Sequence, residues 1–296
     1  HKKFVVDFFD RNRVASWVRS HTSMIIWVRN KIGRNFQGWR SYDNWANSPE
    51  GIEEEYLLDD RLRLRDGTQP QRDELPIQEG LLLLRSTLSA PRASVRLAGL
   101  SGVGKTRLVQ ALFDKRIGAQ ALSTSLPIYT DISYNPEPSP ESIAEQLISR
   151  KTKAILIVDN CPPDLHRSLT KICSQQNSNV SLLTVEYEVR EDIPDETNVF
   201  MLEPASEELI EKLIHKRYPH ISQVNANTIA HFSGGNARIA IALANTVKRN
   251  ETLSDFSDDE LFKRLFWQNQ VPNENLLLSA EVCSLVYSFE GEEKKK

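Results

Sequence analysis

The chain has 296 residues, 40% of them hydrophobic and 26% charged, which suits one α/β core with satellite subdomains or about two domains. A formal net charge of −3 argues against nucleic-acid binding along the whole chain. No apolar run reaches the roughly 18 residues that a membrane span needs, and no signal peptide is visible.

The average charge hides an asymmetry. Residues 1–45 hold nine Lys and Arg against three acids, and residues 46–80 hold ten acids against four Arg. Apolar residues in residues 1–47 recur at helical spacing (Phe4, Val5, Phe8, Phe9; Val14, Trp17, Val18; Ile25, Ile26, Val28), which predicts helices with tight turns at Gly33 and Gly38. Four of the five Trp (Trp17, Trp27, Trp39, Trp45) lie in this stretch. Two readings fit it: a packed helical connector with solvated Arg, or a surface where basic and aromatic residues bind nucleic acid. An acidic run from Glu50 to Asp60 and the turn at 66–70 close the segment.

From Leu75 the chain alternates helix and strand, which predicts a parallel sheet. A helix is expected over about 76–89, then strands over 95–98, 126–132, 154–160, 179–187 and 198–202. Ser139-Pro140-Glu141 is a helix start, with a cap residue and a proline at the first helical position. Past Glu203-Pro204 no strand pattern returns. Ser206 caps a helix, a helix pair over 229–247 is broken by Ser233-Gly234-Gly235, and 255–296 is helical again. Cys161, Cys173 and Cys283 lack CxxC spacing, so neither zinc nor a disulfide framework is indicated, and a reduced, cytoplasmic setting fits. The chain opens on His1 and closes on a charged run after an apolar stretch, which reads as a piece of a longer protein.

The motif with the most chemical content is Gly99-Leu100-Ser101-Gly102-Val103-Gly104-Lys105-Thr106, a full P-loop between a buried strand and a helix. The glycines permit backbone angles that aim N–H groups from Gly99 through Thr106 and Arg107 at phosphates. Lys105 reaches the β- and γ-phosphates, and Thr106 offers a hydroxyl to Mg²⁺. Asp159, at the end of a strand some 50 residues on, is the second metal group. Asn160 follows it where many hydrolysing P-loop proteins carry an acid. An amide cannot act as a base, which predicts slow ATP hydrolysis and a switch in place of a motor. The strand end Thr184-Val185-Glu186-Tyr187 lies where a polar residue usually senses the γ-phosphate, and Arg190 beyond it either stabilises transferred charge or is a solvated surface Arg.

Taken in order, Gln71-Arg72-Asp73-Glu74-Leu75, the P-loop, Val158-Asp159-Asn160, Leu202-Glu203-Pro204 and Ser233-Gly234-Gly235-Asn236-Ala237-Arg238 resemble the STAND class of signal-transduction NTPases, relatives of NB-ARC and NACHT proteins. The resemblance implies an α/β P-loop core over 61–203 with a parallel sheet, a helical subdomain over 204–250 and the start of a winged-helix domain over 251–296. It also implies that Arg72 lines the adenine pocket and that Gly235, Ala237 and Arg238 close over the base or ribose. Ala237 stands where the family carries a proline, and Gln71 where it carries a glycine before the Arg. Within the class, residues 1–60 resemble the connector of bacterial antiviral STAND proteins. That narrower likeness implies ATP/ADP and Mg²⁺ as ligands and a homo-tetramer in the active, full-length form. It further implies a phage protein as trigger, bound by a C-terminal sensor outside this chain, and nucleic acid handled only by an effector also outside it. A STAND-type transcriptional regulator gated by ADP and ATP is the alternative reading.

Overall fold

The computed structural model describes residues 10–46, 62–66, 75–186, 197–248, 251–267 and 271–283. The chain divides into two compact units, His1–Glu203 and Pro204–Lys296.

The first unit opens with α1 (Arg11–Ser20) and α2 (Thr22–Lys31), then β1 (Trp39–Ser41), α3 (Tyr42–Ala46) and β2 (Leu62–Asp66). There follow β3 (Leu75–Pro76), α4 (Ile77–Ser89), β4 (Ser94–Ala98), α5 (Lys105–Ala111), β5 (Pro127–Asp131) and α6 (Pro140–Ser149). β6 (Ala154–Asp159), α7 (Pro163–Cys173), β7 (Val180–Val185) and β8 (Asn198–Leu202) complete it. The eight described strands form one sheet in the order β1-β5-β6-β7-β4-β8-β2-β3. The five central strands, β5 to β8 with β4 among them, run parallel, as expected from strands that alternate with helices. Both edges depart from that expectation. β1 pairs antiparallel with β5, and β2 pairs antiparallel with β8. Neither is strongly patterned, because an edge strand is chosen by the neighbour it pairs with as much as by its own residues.

Alternation along the strands sorts side chains between two cores. Ile155 and Ile157 of β6 face a cluster with α4 and α5, while Leu156 and Val158 face Ile143, Leu147 and Leu169 of α6 and α7. Each such buried aliphatic contributes about 1.5–3 kcal/mol by leaving water. α6 starts as the sequence suggests: the Ser139 side chain accepts from Ser142 N, with Pro140 at the first position. The aromatic N-terminal segment is split in its role. Trp39 and Trp45 are buried against the sheet, while Trp17 and Trp27 are 43% and 36% exposed.

The second unit is helical: α8 (Glu207–Arg217), α9 (Gln223–Ser233), α10 (Ala237–Ala244), α11 (Asp258–Arg264) and α12 (Glu274–Cys283). Ser206, Ser222, Asn236 and Ser257 each cap the helix that follows with a side-chain oxygen. Ile210, Ile214, Ile229, Leu243 and Leu261 form its core. Gly235, at φ +80°, is required inside this unit: a Cβ there would come within 2.1 Å of the Ala205 carbonyl oxygen. No described helix is long and apolar enough to cross a membrane.

Candidate functional site

The loop between β4 and α5 is built as its sequence requires. Gly99, Gly102 and Gly104 have φ of 142°, 89° and 103°, where L-residues with a Cβ are strained. Gly99 has a second constraint, because a Cβ would lie 2.5 Å from the Leu202 carbonyl oxygen of the adjacent β8. Val103 is buried in the core beneath the loop and anchors it, so its contribution to a ligand is its backbone. Ser101 is exposed, and the backbone turns at Gly104 directly into α5, whose first residues are Lys105, Thr106 and Arg107. Arg107 reaches Gln110 Oε1 at 3.3 Å. N–H groups of a helix's first turn, with the dipole behind them, favour an anion.

Lys105 is 9% exposed, and its ammonium donates to the carbonyls of Gly99 and Leu100 at 2.7 and 2.8 Å. The loop therefore curls around the charge that phosphates would meet. Thr106 Oγ1 donates to Asp159 Oδ2 at 3.0 Å, so two oxygen ligands stand together although 53 residues separate them. Asp159 is also gripped by Tyr129, whose hydroxyl donates to Oδ2 at 3.2 Å, and by the Asn160 backbone N–H at 3.0 Å to Oδ1. Burial pushes the Asp159 carboxyl above its ordinary value, and the hydrogen bonds from Thr106, Asn160 and Tyr129 oppose that rise. A cation beside it would favour the ionised form in the same way. The oxygen-only pair Thr106 and Asp159 fits a hard ion such as Mg²⁺, which takes few protein ligands and completes its shell from phosphate and water. No cluster of three or more His, Cys, Asp or Glu suited to a metal occurs among the described residues.

Asn160 sits at φ 51°, a left-handed conformation that Asn tolerates, and its side-chain amide donates to both carboxylate oxygens of Asp131 at 3.0 Å each. At the strand end 184–186 the two polar side chains are bonded within the core. Thr184 bonds the buried His166 ring, and Glu186 forms a buried ion pair with Arg96. Both lie on the α7 side of the sheet, opposite the α5 side that holds Asp159, because Leu183 and Val185 take the alternating positions on the α5 face. Arg72, Tyr187 and Arg190 lie outside the described residues.

Three contributors escaped sequence reasoning. Tyr129 reads as one more aromatic in a strand, yet its hydroxyl reaches Asp159, and Trp45 stacks on its ring at 4.3 Å between centroids and 13° between planes. Asp131 reads as a strand end. Arg85 reads as a solvated charge on a helix, yet it is buried and ties down the end of α5. No local pattern separates these from surface residues, because each role depends on a partner from another element. In the second unit, Gly235 accepts from Ala205 N at 2.9 Å, Ala237 is part-buried at the first position of α10, and Arg238 is exposed.

No protein-family model and no curated protein matches the chain. Among solved structures it is similar to a STAND protein with a tetratricopeptide repeat sensor from Pyrococcus horikoshii, at TM-score 0.43 and 13% identity, over 76% of this chain and 36% of that one. It is also similar to the ORC2 protein of Aeropyrum pernix, in ADPNP–ADP complexes, at TM-score 0.40 and 14% identity over 74% and 72% of the two chains. The FIGL-1 AAA domain in complex with ADP aligns at TM-score 0.38 and 12% identity, over 75% and 93%. The chain thus spans 36% of the length of the Pyrococcus protein. On its own geometry, the glycine loop at 99–104, the lysine it encloses and the Thr106–Asp159 pair form a P-loop at the ends of the central parallel strands of a mixed sheet.

Proposed function

We propose that this chain is the ATP-binding, slowly hydrolysing module of a STAND-type signal-transduction ATPase. The observation that carries the reading is the 3.0 Å contact between Thr106 and Asp159, which joins the P-loop helix to the tip of β6 at the place where Mg²⁺ and the β/γ-phosphates would be held. Lys105 would neutralise phosphate charge, Thr106 and Asp159 would hold the metal, and N–H groups of 99–107 would receive the phosphates. Bound Mg²⁺ would supply charge stabilisation to the γ-phosphoryl group. Asn160 carries an amide where a base would speed hydrolysis, which favours a bound state that persists. Gly235, Ala237 and Arg238 are proposed base- or ribose-side contacts, and Arg72 a proposed adenine contact.

As a switch, the module would distinguish ATP from ADP by contacts to the γ-phosphate and metal, and shift a conformational equilibrium by that difference. We further propose that the intact protein assembles as a homo-oligomer with ATP and a phage-protein trigger, in bacterial antiphage defence and in the cytoplasm, while this chain by itself remains mostly monomeric. Calorimetric titration with ATP-γ-S tests the core of the reading. Wild type binds and Lys105→Ala binds at least about tenfold more weakly, since a charge-assisted phosphate contact is worth about 1.5–3 kcal/mol. Equal affinities would refute the site. Single-turnover hydrolysis at or above ~10 s⁻¹, a median enzyme rate, would refute the slow switch. Light scattering with ATP, ADP and no nucleotide tests assembly.

A further inference from the structure

Hydrolysis of a γ-phosphoryl group needs an acceptor to align the attacking water and take its proton, and neither residue at the tip of β6 is suited to it. Asp159 is occupied with Thr106, Tyr129 and its own following backbone N–H. Asn160 offers an amide, which cannot receive a proton. A second carboxylate stands beside them. Asp131 ends β5, the parallel neighbour of β6, and is the register partner of Asp159. Neighbouring strands lie about 4.8 Å apart. Alternation places Tyr129 and Asp131 with Ile155, Ile157 and Asp159 on the α5 face of the sheet.

Two features of Asp131 exceed what a turn residue needs. Its Oδ1 caps the short helical turn Ile132–Tyr134, accepting from Ser133 N at 2.9 Å and Ser133 Oγ at 2.7 Å. That role leaves Oδ2, which accepts only the Asn160 amide among the described residues. An ionised carboxylate oxygen carries two lone pairs, so Oδ2 retains one for a water. The Asn160 amide meanwhile holds both oxygens at 3.0 Å and fixes the plane of the carboxylate. In space the order runs from the P-loop strand β4 through β7 to β6 and then β5. Asp131 therefore lies beyond Asp159, away from the P-loop that would hold the leaving diphosphate. In-line displacement brings water from the side opposite the leaving oxygen.

We propose that Asp131 is the carboxylate that activates the attacking water, and that Asn160 is its positioning residue. The water oxygen bonds to the γ-phosphorus as the bond to the β,γ-bridging oxygen breaks, and its electron pair leaves with ADP. The proton shed by the water passes to Asp131 and is returned to the released phosphate, so the carboxylate ends as it began. On this assignment the slow hydrolysis proposed above runs through a carboxylate on the neighbouring strand, not through one that follows Asp159. This assignment rests on the ATP-hydrolysing reading of the P-loop site.

Asp131→Asn keeps an oxygen for the Ser133 cap while removing the base. Single-turnover hydrolysis in this variant is expected to fall at least about a hundredfold, the usual range of general-base contributions, while ATP-γ-S affinity stays within about threefold of wild type. Affinity for ADP with aluminium fluoride, which mimics the planar phosphoryl group and its water, is expected to fall at least about tenfold, with ADP alone unchanged. Asn160→Gly leaves the cap untouched and suits the positive φ, and it is expected to slow hydrolysis about tenfold at unchanged affinity. If Asp131→Asn fails to fold, the Asn160→Gly result alone decides. Hydrolysis within threefold of wild type in either folded variant overturns the assignment, as does a wild type that binds ATP without hydrolysing it. A wild type that fails to bind ATP-γ-S instead overturns the P-loop reading, and the two failures are told apart by that titration.

Discussion

Arg85 offers a sharp test of how the P-loop helix is held. Its side chain is 1% exposed on α4, and its guanidinium donates to the carbonyls of Leu112, Ile117, Ala119, Ala111 and Asp114 at 3.0, 2.7, 2.6, 2.7 and 3.1 Å. These carbonyls lie at the C-terminal end of α5 and in the turn after it, where a helix leaves acceptors without intrahelical partners. Burial lowers the guanidinium's affinity for its proton and the Asp114 charge opposes that, yet an arginine stays charged. Arg85→Met fills much of the same volume but removes the donors: Leu112 O and Ala111 O keep the backbone N–H groups of Leu122 and Asp114, whereas Ile117 O accepts from no other described donor. The bonds to Leu112, Ile117 and Ala111 are buried, while those to Ala119 and Asp114 are part-exposed, so water can replace only the latter. A buried unsatisfied carbonyl costs about 1–3 kcal/mol. One such carbonyl, and two more that each lose a charge-assisted bond, less the apolar burial that Met recovers, come to about 2–3 kcal/mol. Lysine should recover at most about half, because one ammonium cannot span five carbonyls. Urea unfolding followed by tryptophan fluorescence reads the first unit, which contains four of the five Trp. Saturating ATP at a hundred times its Kd should restore about 2.7 kcal/mol in wild type and variant alike. A loss below about 1 kcal/mol in Arg85→Met would refute the argument that these bonds hold the end of α5.

His166 is buried, with its ring nitrogens on Thr184 and Thr197, and burial followed by the Arg96 and Arg167 charges lowers its pKa from 6.5 to about 4. The neutral ring is the folded form, so its contribution is fully present above pH 6.5 and is lost as pH falls toward 4, by up to about 3 kcal/mol. Denaturant unfolding at pH 7 and pH 4.5 should show this slope in wild type and a flatter one in His166→Gln, and parallel curves would refute it. Tyr129→Phe removes one hydrogen bond to Asp159 and should weaken Mg²⁺-dependent ATP binding about tenfold, near 1.5 kcal/mol, with the fold intact; calorimetry with and without Mg²⁺ checks it. Gly235→Ala meets the Ala205 oxygen at 2.1 Å and should destabilise the second unit by more than about 2 kcal/mol, whereas Gly234→Ala, at φ +54° with nothing within 4 Å, should cost only about 1 kcal/mol. Far-ultraviolet circular dichroism during urea unfolding separates the two, and equal losses would count against the clash.

Hydrophobic runs by themselves determine the five parallel strands. Ala154–Asp159 and Asn198–Leu202 match the expected segments closely; the first is buried at every position, and a strand buried on both faces needs an unbroken apolar run whatever surrounds it. The P-loop was equally legible, since glycines at positive φ followed by Lys-Thr state a backbone requirement inside a few residues. The caps at Ser139 and Ser206 are local in the same sense. Other features were decided only by the tertiary structure. Trp39–Ser41 becomes a strand because β5 offers a free edge. Asp131 meets Asn160 because parallel register puts the ends of β5 and β6 side by side although 29 residues separate the pair in sequence. Trp45 lies on Tyr129, and Arg85 turns from a surface charge into a buried clamp on α5. In each of these the residue type leaves several environments open, and the partner that selects one arrives from an element whose distance along the chain no periodicity encodes.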